Sequence, residues 1–321
     1  MLRFVFIIAL FSVFQSHMAN AQSFPQKQIR LIVPFAPGGS TDMIARTIAE
    51  PLGKVLGQTV VVENKAGAGG SIGALDIVRG GKDGHVIGMA TVSTTASSPA
   101  INKKIGYDPI KDFQAITNIA ASPNVIAVHP KFIAKDYKSF LELIKKNPGK
   151  YSYATSGAGG IGHLQMELFK SLTSAQINHV PYRGAGPALI DAASGKVPII
   201  YDNFPSAYPF IKDGHLVPLV IAAPKRLSNL PHVPTFAEVG LTSANRMAYY
   251  GLIGPAGMSR EAVEKIHAGV LRVLQDPSVR KRIEETGAII VANNPEQFAL
   301  EIKAEYDIYR DVVTKLGLSS N

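Results

Sequence analysis

Apolar residues along this chain recur in two patterns: short unbroken runs, and longer stretches with a period of three to four residues. The stretch 28–47 holds the first of each. Ile29, Leu31, Ile32, Val33 and Phe35 form a β-branched-rich run, which suits a parallel strand covered on both faces. A turn follows at once. Pro34 and Pro37 bar a regular helix there, Gly38 and Gly39 open backbone angles closed to other residues, and Ser40, Thr41 or Asp42 is placed to cap what comes next. Ile44, Ile48 and Leu52, flanked by Ala45 and Ala49, then predict a helix with one apolar face. A helix start at the carboxyl end of a strand presents unpaired N–H groups in a positive dipole field, so the turn reads as a carboxylate holder.

The same alternation continues. A strand over 59–63 precedes a stretch with Gly67, Gly69, Gly70 and Gly73 and a helix through Val78; a strand over 86–91 leads into a polar loop, 93–98. Strands alternating with helices imply a largely parallel sheet, with ligand loops beyond the strands' carboxyl ends. Residues 116–128 read as an extended crossing to a second lobe. There a helix with Phe140, Leu141 and Ile144 stops at Asn147-Pro148-Gly149, and a strand over 151–155 meets a second Gly-rich turn, 156–162. A helix with Leu164, Leu168 and Leu172 follows, repeating the opening arrangement. Strands over 178–182, 197–201 and 216–222 complete this lobe, with a helix over 187–193 between them, and Asp202-Asn203 ends the middle strand. The last segment has one strand, 249–253, and then helices over 262–274, 279–285 and 298–316. Having little sheet of its own, it packs on the first lobe and makes that lobe discontinuous. The expected division is 1–21 as a leader, 22–122 with 248–321 as lobe one, and 123–247 as lobe two, joined by two crossings that form a hinge.

Composition narrows the class. Arg3, an apolar run over 4–14 and Ala19-Asn20-Ala21 have the layout of a secretory signal cleaved after Ala21, and the run is short for a membrane span. Cysteine is absent, so disulfides and thiolate metal sites are impossible and an exported chain depends on packing alone. The formal charge is +9, from 33 basic and 24 acidic residues, but the bases are scattered, there is no Trp, and no aromatic-basic stripe suits a nucleic acid. A mild positive field instead favours small anions or a charged membrane surface.

Three local patterns suggest other chemistry. Gly157-Ala158-Gly159-Gly160-Ile161-Gly162 fits a dinucleotide fingerprint, but the next strand ends in Pro181-Tyr182-Arg183 without an acid for a ribose, leaving only an NADP-like variant. Gly69-Gly70-Ser71-Ile72-Gly73 fits a hydrolase nucleophile elbow, yet five residues separate it from the preceding strand. His163 and Glu167 share a helix face and could hold a metal, without a further ligand cluster. An exported hydrolase acting on an acid or ester is therefore the rival to a binding module.

Many matches in one order resemble a known family. They are Val33-Pro34-Phe35-Ala36-Pro37-Gly38-Gly39-Ser40-Thr41-Asp42, Val60-Val61-Val62-Glu63-Asn64-Lys65, Gly67-Ala68-Gly69-Gly70-Ser71-Ile72-Gly73, Tyr107-Asp108-Pro109, His179-Val180-Pro181-Tyr182-Arg183-Gly184, Leu230-Pro231-His232-Val233-Pro234-Thr235 and Gly254-Pro255-Ala256-Gly257. Across essentially the whole mature chain the sequence resembles the periplasmic solute-binding proteins of tripartite tricarboxylate transporters, the Bug family. The resemblance implies an α/β fold of two lobes in the type II-like periplasmic-binding architecture, each lobe a mostly parallel sheet flanked by helices. It implies a monomeric, non-enzymatic protein without cofactor or metal that captures a di- or tricarboxylate or an aromatic acid in the periplasm and delivers it to membrane permease subunits. Carried onto this chain, the ligand-binding set is Gly38, Gly39, Ser40, Thr41 and Asp42 from lobe one and Ser156, Gly157, Gly159 and Gly160 from lobe two, with Ser93, Thr94 and Asp202 at corresponding loops. Tyr249-Tyr250 stands where the family often has a Trp, and Val197-Pro198-Ile199-Ile200 replaces a stretch that usually includes an acid.

Overall fold

The computed structural model of the protein describes residues 24–318, so the leader expected over 1–21 lies outside the described residues. Two sheets carry the chain. Strands β1 (Ile29–Val33), β2 (Val60–Asn64), β3 (Val86–Thr91) and β4 (Phe113–Ser122) build most of the first. β1 is buried almost throughout, and helix α1 (Ser40–Leu56) covers it with Ile44, Ala45, Ile48, Ala49 and Leu52, the spacing that the sequence pattern requires. Gly57, at a left-handed φ of 74°, ends α1 and turns the chain into β2. Helix α2 (Ser71–Val78) leads to β3. After β3 the chain does not form a polar loop: residues Ser93–Ser97 make a wide helical turn that runs directly into α3 (Ser98–Ile101). Its hydroxyls are what allow it to be buried, because Thr94 and Thr95 bond back to the Thr91 carbonyl at 3.1 and 2.8 Å.

β4 crosses to the second sheet with Pro123 alone before β5 (Asn124–Val128). Helix α4 (Tyr137–Lys146), strand β6 (Ser152–Thr155), helix α5 (Ile161–Thr173), strand β7 (Asn178–Pro181), helix α6 (Ala185–Ala193), strand β8 (Ile199–Asn203), helix α7 (Phe204–Lys212) and strand β9 (Val217–Ala222) follow. The chain returns through β10 (Ala248–Pro255), then α8 (Arg260–Val273), α9 (Pro277–Glu284), β11 (Ile289–Ile290) and the long α10 (Pro295–Leu316). Strand order is β11-β4-β10-β3-β1-β2 in one sheet and β7-β6-β8-β5-β9 in the other.

The two-lobed α/β fold read from the sequence is present, and both sheets are mixed rather than mostly parallel. β1, β2 and β3 run parallel, as do β6, β7 and β8, but the crossing strands β4, β5 and β10 pair antiparallel with their neighbours. A strand that leaves one sheet for the other enters against the βαβ direction, which accounts for the mixture. The two crossings lie side by side. Ser122 pairs with Ala248, and the Asn124 amide donates to the Arg246 carbonyl at 2.8 Å.

α10 closes the first sheet. Its capping box, Asn294 with Gln297, fixes the start, and Phe298 lies fully buried over Gly251 of β10. A Cβ at Gly251 would come within 2.2 Å of the Phe298 ring and 2.6 Å of the Thr117 carbonyl oxygen. Gly251→Ala is therefore expected to lose about 1–3 kcal/mol of stability through overpacking; a lower urea midpoint with unchanged slope is the outcome sought, and a wild-type midpoint would show that α10 yields at no cost.

Candidate functional site

The carboxyl ends of β1 and β6 face each other across the junction of the lobes. Gly38 takes a φ of +85°, Gly39 is the N-cap of α1 without any side-chain cap, and the first-turn amides of α1 have no partner inside the helix. In the other lobe Gly157 and Gly159 take φ of +147° and +77°, and Gly160 is the N-cap of α5. Between these turns lies a cavity of ≈ 20 Å3, about the space of one ordered water. Gly39, Ser40, Thr41, Ser93 and Ser156 line it, together with Phe35, Thr91, Ile161, Asn203, Tyr249 and Tyr250. Ser93 ties the lobes together, since its Oγ accepts the Ile161 amide at 3.0 Å from the start of α5. No Lys or Arg is among the lining residues, and Arg183 is exposed. A larger open groove of ≈ 700 Å3 lies along the edge strand β2, lined by Arg46, Glu50 and Lys54, and includes none of the turn residues.

The other expected residues surround the cavity without lining it, each for a visible reason. Asp42 does not cap α1. Its carboxylate accepts from the Gly38 amide (3.1 Å), Asn64 Nδ2 (2.9 Å) and Arg46 Nε (3.0 Å) and so pins the turn. Burial opposes its ionisation, but these bonds outweigh that cost and hold the carboxyl below its ordinary range. Thr94 is fully buried, with its hydroxyl turned to Thr91 and its carbonyl accepting from Tyr107 at 2.7 Å. Gly38, Gly157 and Gly159 lie at the contact between the lobes. A Cβ at Gly157 would come within 3.1 Å of Gly69, one at Gly69 within 2.4 Å of the Ala158 carbonyl oxygen, and one at Gly186 within 2.3 Å of the Pro37 carbonyl oxygen. The Ala36 amide donates to the Arg183 carbonyl at 3.2 Å. These glycines let the backbones of the two lobes touch along two seams flanking the cavity.

Asp202 lies one step behind the cavity wall, fully buried at the end of β8. Ser206 of α7 donates to its Oδ2 at 2.6 Å, and Ser206 Oγ lies 2.7 Å from Ser40 Oγ of the opposite lobe. Burial pushes the Asp202 carboxyl up to about 7.

The histidines are structural supports of the second turn. His163 Nδ1 accepts the Gly159 amide at 3.2 Å, His179 Nε2 lies 2.7 Å from Thr155 Oγ1, and the two rings stack 4.4 Å apart at 10°. Burial lowers both, His179 down to about 3, so both rings are neutral near neutral pH. Glu167 pairs with Lys170 at 2.8 Å, and among the described residues no group of three or more candidate ligands could hold a metal. Ser71 is buried in a hydrogen bond with Tyr107, the setting of a packed helix start and not of an exposed elbow.

Tyr249 and Tyr250 were legible only as a departure from the family pattern, and Asn203 only as a strand end. Tyr249 bonds Thr95, Tyr250 bonds Ser122 at 3.2 Å, and both rings form the cavity floor at the point where the chain re-enters the first sheet.

Residues 44–318 match the family described as the tripartite tricarboxylate transporter family receptor. The curated protein BugT of Bordetella pertussis is 32% identical over 299 residues, covering 93% of this chain and 92% of BugT. Among solved structures, one described as a periplasmic transporter is 49% identical with a TM-score of 0.91, covering 92% of this chain and 99% of its own. MatC from Rhodopseudomonas palustris with bound malate is 31% identical with a TM-score of 0.87, covering 90% of this chain and 100% of its own. The matched family is one of transporter receptors and not of enzymes, which sets aside the hydrolase reading. With the family matched over most of its length and the paired turns in place, this chain belongs to the tripartite tricarboxylate transporter receptors.

Proposed function

We propose that the protein is a periplasmic receptor whose two lobes close on a small carboxylate and hand it to the membrane subunits of a tripartite tricarboxylate-type transporter. The observation that carries this reading is the convergence of Gly39, Ser40 and Thr41 from one lobe and Ser156 with the start of α5 from the other on one cavity. First-turn amides and hydroxyls are donors, and the dipoles of α1 and α5 both favour negative charge at their starts. Malate in MatC shows that a relative of this fold takes a ligand with that chemistry. A cavity of ≈ 20 Å3 cannot admit such a ligand unless the lobes part. The two adjacent crossings, at Pro123 and at 246–248, are where they would bend, with 22–122 and 248–321 moving against 123–247. A ligand favours the closed form because it bonds to both lobes only there. One chain contains the whole site, so a monomer suffices, and cleavage after Ala21 would release the mature chain.

A thermal-shift screen with malate, adipate and benzoate, followed by calorimetry and mass analysis of the recovered acid, tests the reading. At least one acid should stabilise the protein and be recovered unchanged; no stabilisation by any carboxylate would remove the proposal. Thr41→Ala and Ser93→Ala should each weaken the bound acid roughly tenfold or more, the loss of one hydrogen bond to a charged group. Gly186→Val, placed outside the cavity, should hold the seam apart. It is expected to weaken binding and enlarge the radius of gyration measured with ligand, and an unchanged closed-form radius would count against closure along that seam.

A further inference from the structure

We propose that Asp202 is a positioning residue for the bound carboxylate: acting through Ser206 across the lobe boundary, it controls whether the Ser40 hydroxyl hydrogen is available to the ligand. This rests on the carboxylate reading above and goes further, because it makes capture proton-linked and uses a residue that does not line the cavity.

The argument is an inventory of hydrogens. Ser206 Oγ has one hydrogen and three oxygen partners: Asp202 Oδ2 at 2.6 Å, Ser40 Oγ at 2.7 Å and the Asn203 carbonyl at 3.1 Å. An ionised Asp202 can only accept, so it takes that hydrogen. The 2.7 Å contact between the two serines then needs the hydrogen of Ser40. Ser40 also accepts the Ser206 amide at 2.9 Å, and with its one hydrogen engaged by Ser206 it offers none towards the cavity. A protonated Asp202 donates to Ser206 instead. Ser206 can then donate to Ser40, whose own hydrogen becomes free to turn to a carboxylate. The direct charge effect has the same sign, since a buried anion behind the wall opposes a second anion in front of it. Binding therefore favours the protonated acid.

The surroundings leave Asp202 free to titrate near neutrality. On its own strand stands Tyr201, whose buried hydroxyl has no partner among the described residues, and from β10 comes Tyr250. α1 presents Asp42, engaged by Arg46; α5 presents His163, Glu167 and Lys170, which interact with one another; α6 presents Asp191, bonded to Tyr182 and Lys196. α7 carries Tyr208, packed on Phe204, and Lys212 at its far end, while β5 brings no titratable side chain. No cation pairs with Asp202 among the described residues, and burial places its titration at about 7.

The test is calorimetry of the full mature protein with malate, adipate or benzoate between about pH 6.5 and 8.5, above the acids' own titration, in buffers of different ionisation enthalpy. Binding should take up part of a proton near neutrality, and affinity should fall with rising pH, at most about tenfold per unit. In Asp202→Asn, whose amide donates to Ser206 permanently, uptake should vanish and affinity should stay flat, exceeding wild type at the alkaline end. Ser206→Ala, which cuts the relay and leaves only the direct charge effect, should reduce the uptake. Affinity without proton uptake in wild type, uptake that persists in Asp202→Asn, or undiminished uptake in Ser206→Ala overturns the proposal and leaves the carboxylate reading standing. Heat from none of the acids at any pH removes both.

Discussion

The two lobes meet main chain to main chain along two seams. Along one seam the chain at Ala36 and Pro37 meets Arg183, Gly184 and Gly186; along the other, Gly69 meets Gly157 and Ala158. A Cβ at Gly69, Gly184 or Gly186 would come within 2.7 Å of a main-chain atom of the other lobe, so these glycines permit the contact, and the site is built on that contact. It brings the start of α1 to within one hydroxyl of α7, and it places Ser93 of the first lobe where the first amide of α5 can donate to it. A glycine here takes part in the contact between the lobes. It sets how far the lobes can close, and closure determines which donors converge.

Local pattern explains why some of this was legible in the sequence. The run from Ile29 to Phe35, the Pro-Gly turn and the α1 periodicity are contiguous, so the first strand-turn-helix unit could be read without tertiary information, and the second repeats it from Tyr151 to Leu172. The residues of both turns that line the cavity came from this reading. What escaped it depends on partners distant in sequence. Residues 93–98 look like a loop because Ser and Thr are loop formers; their hydroxyls instead bond the Thr91 carbonyl and Tyr249, and the segment becomes a buried helical turn. α7 carries Pro205 and Pro209 and is still a helix, one proline lying in its first turn, where no amide bond is lost.

Asp42 and Asp202 show the same limit on charged residues. Both enter the ligand set through the family resemblance, at turns beyond strand ends, where the facing of a carboxylate is decided by partners distant in sequence. Asn64 and Arg46 draw Asp42 back into its own turn. Asp202 is enclosed by its own strand and α7, and Ser206 connects it with Ser40 at the cavity wall. Likewise His163 and Glu167 have the spacing of a metal pair, but the imidazole is occupied by the Gly159 amide, a bond within its own turn that spacing alone does not reveal.

A site built from amides, hydroxyls and two tyrosines has a consequence that a site built from arginines lacks. A fixed cation attracts an acid whether the lobes are open or closed, so much of its attraction is already present in the open form and contributes nothing to closure. Hydroxyl and amide donors act over one hydrogen-bond length and are directional. In this chain they are divided between α1, the turn after β3 and the start of α5, so the full set exists only when both seams are made. On the proposed carboxylate reading, ligand grip and lobe closure are the same event, and a partner that opened the seams would remove the grip at once. Neutrality of the cavity wall is then the feature that would join holding to release.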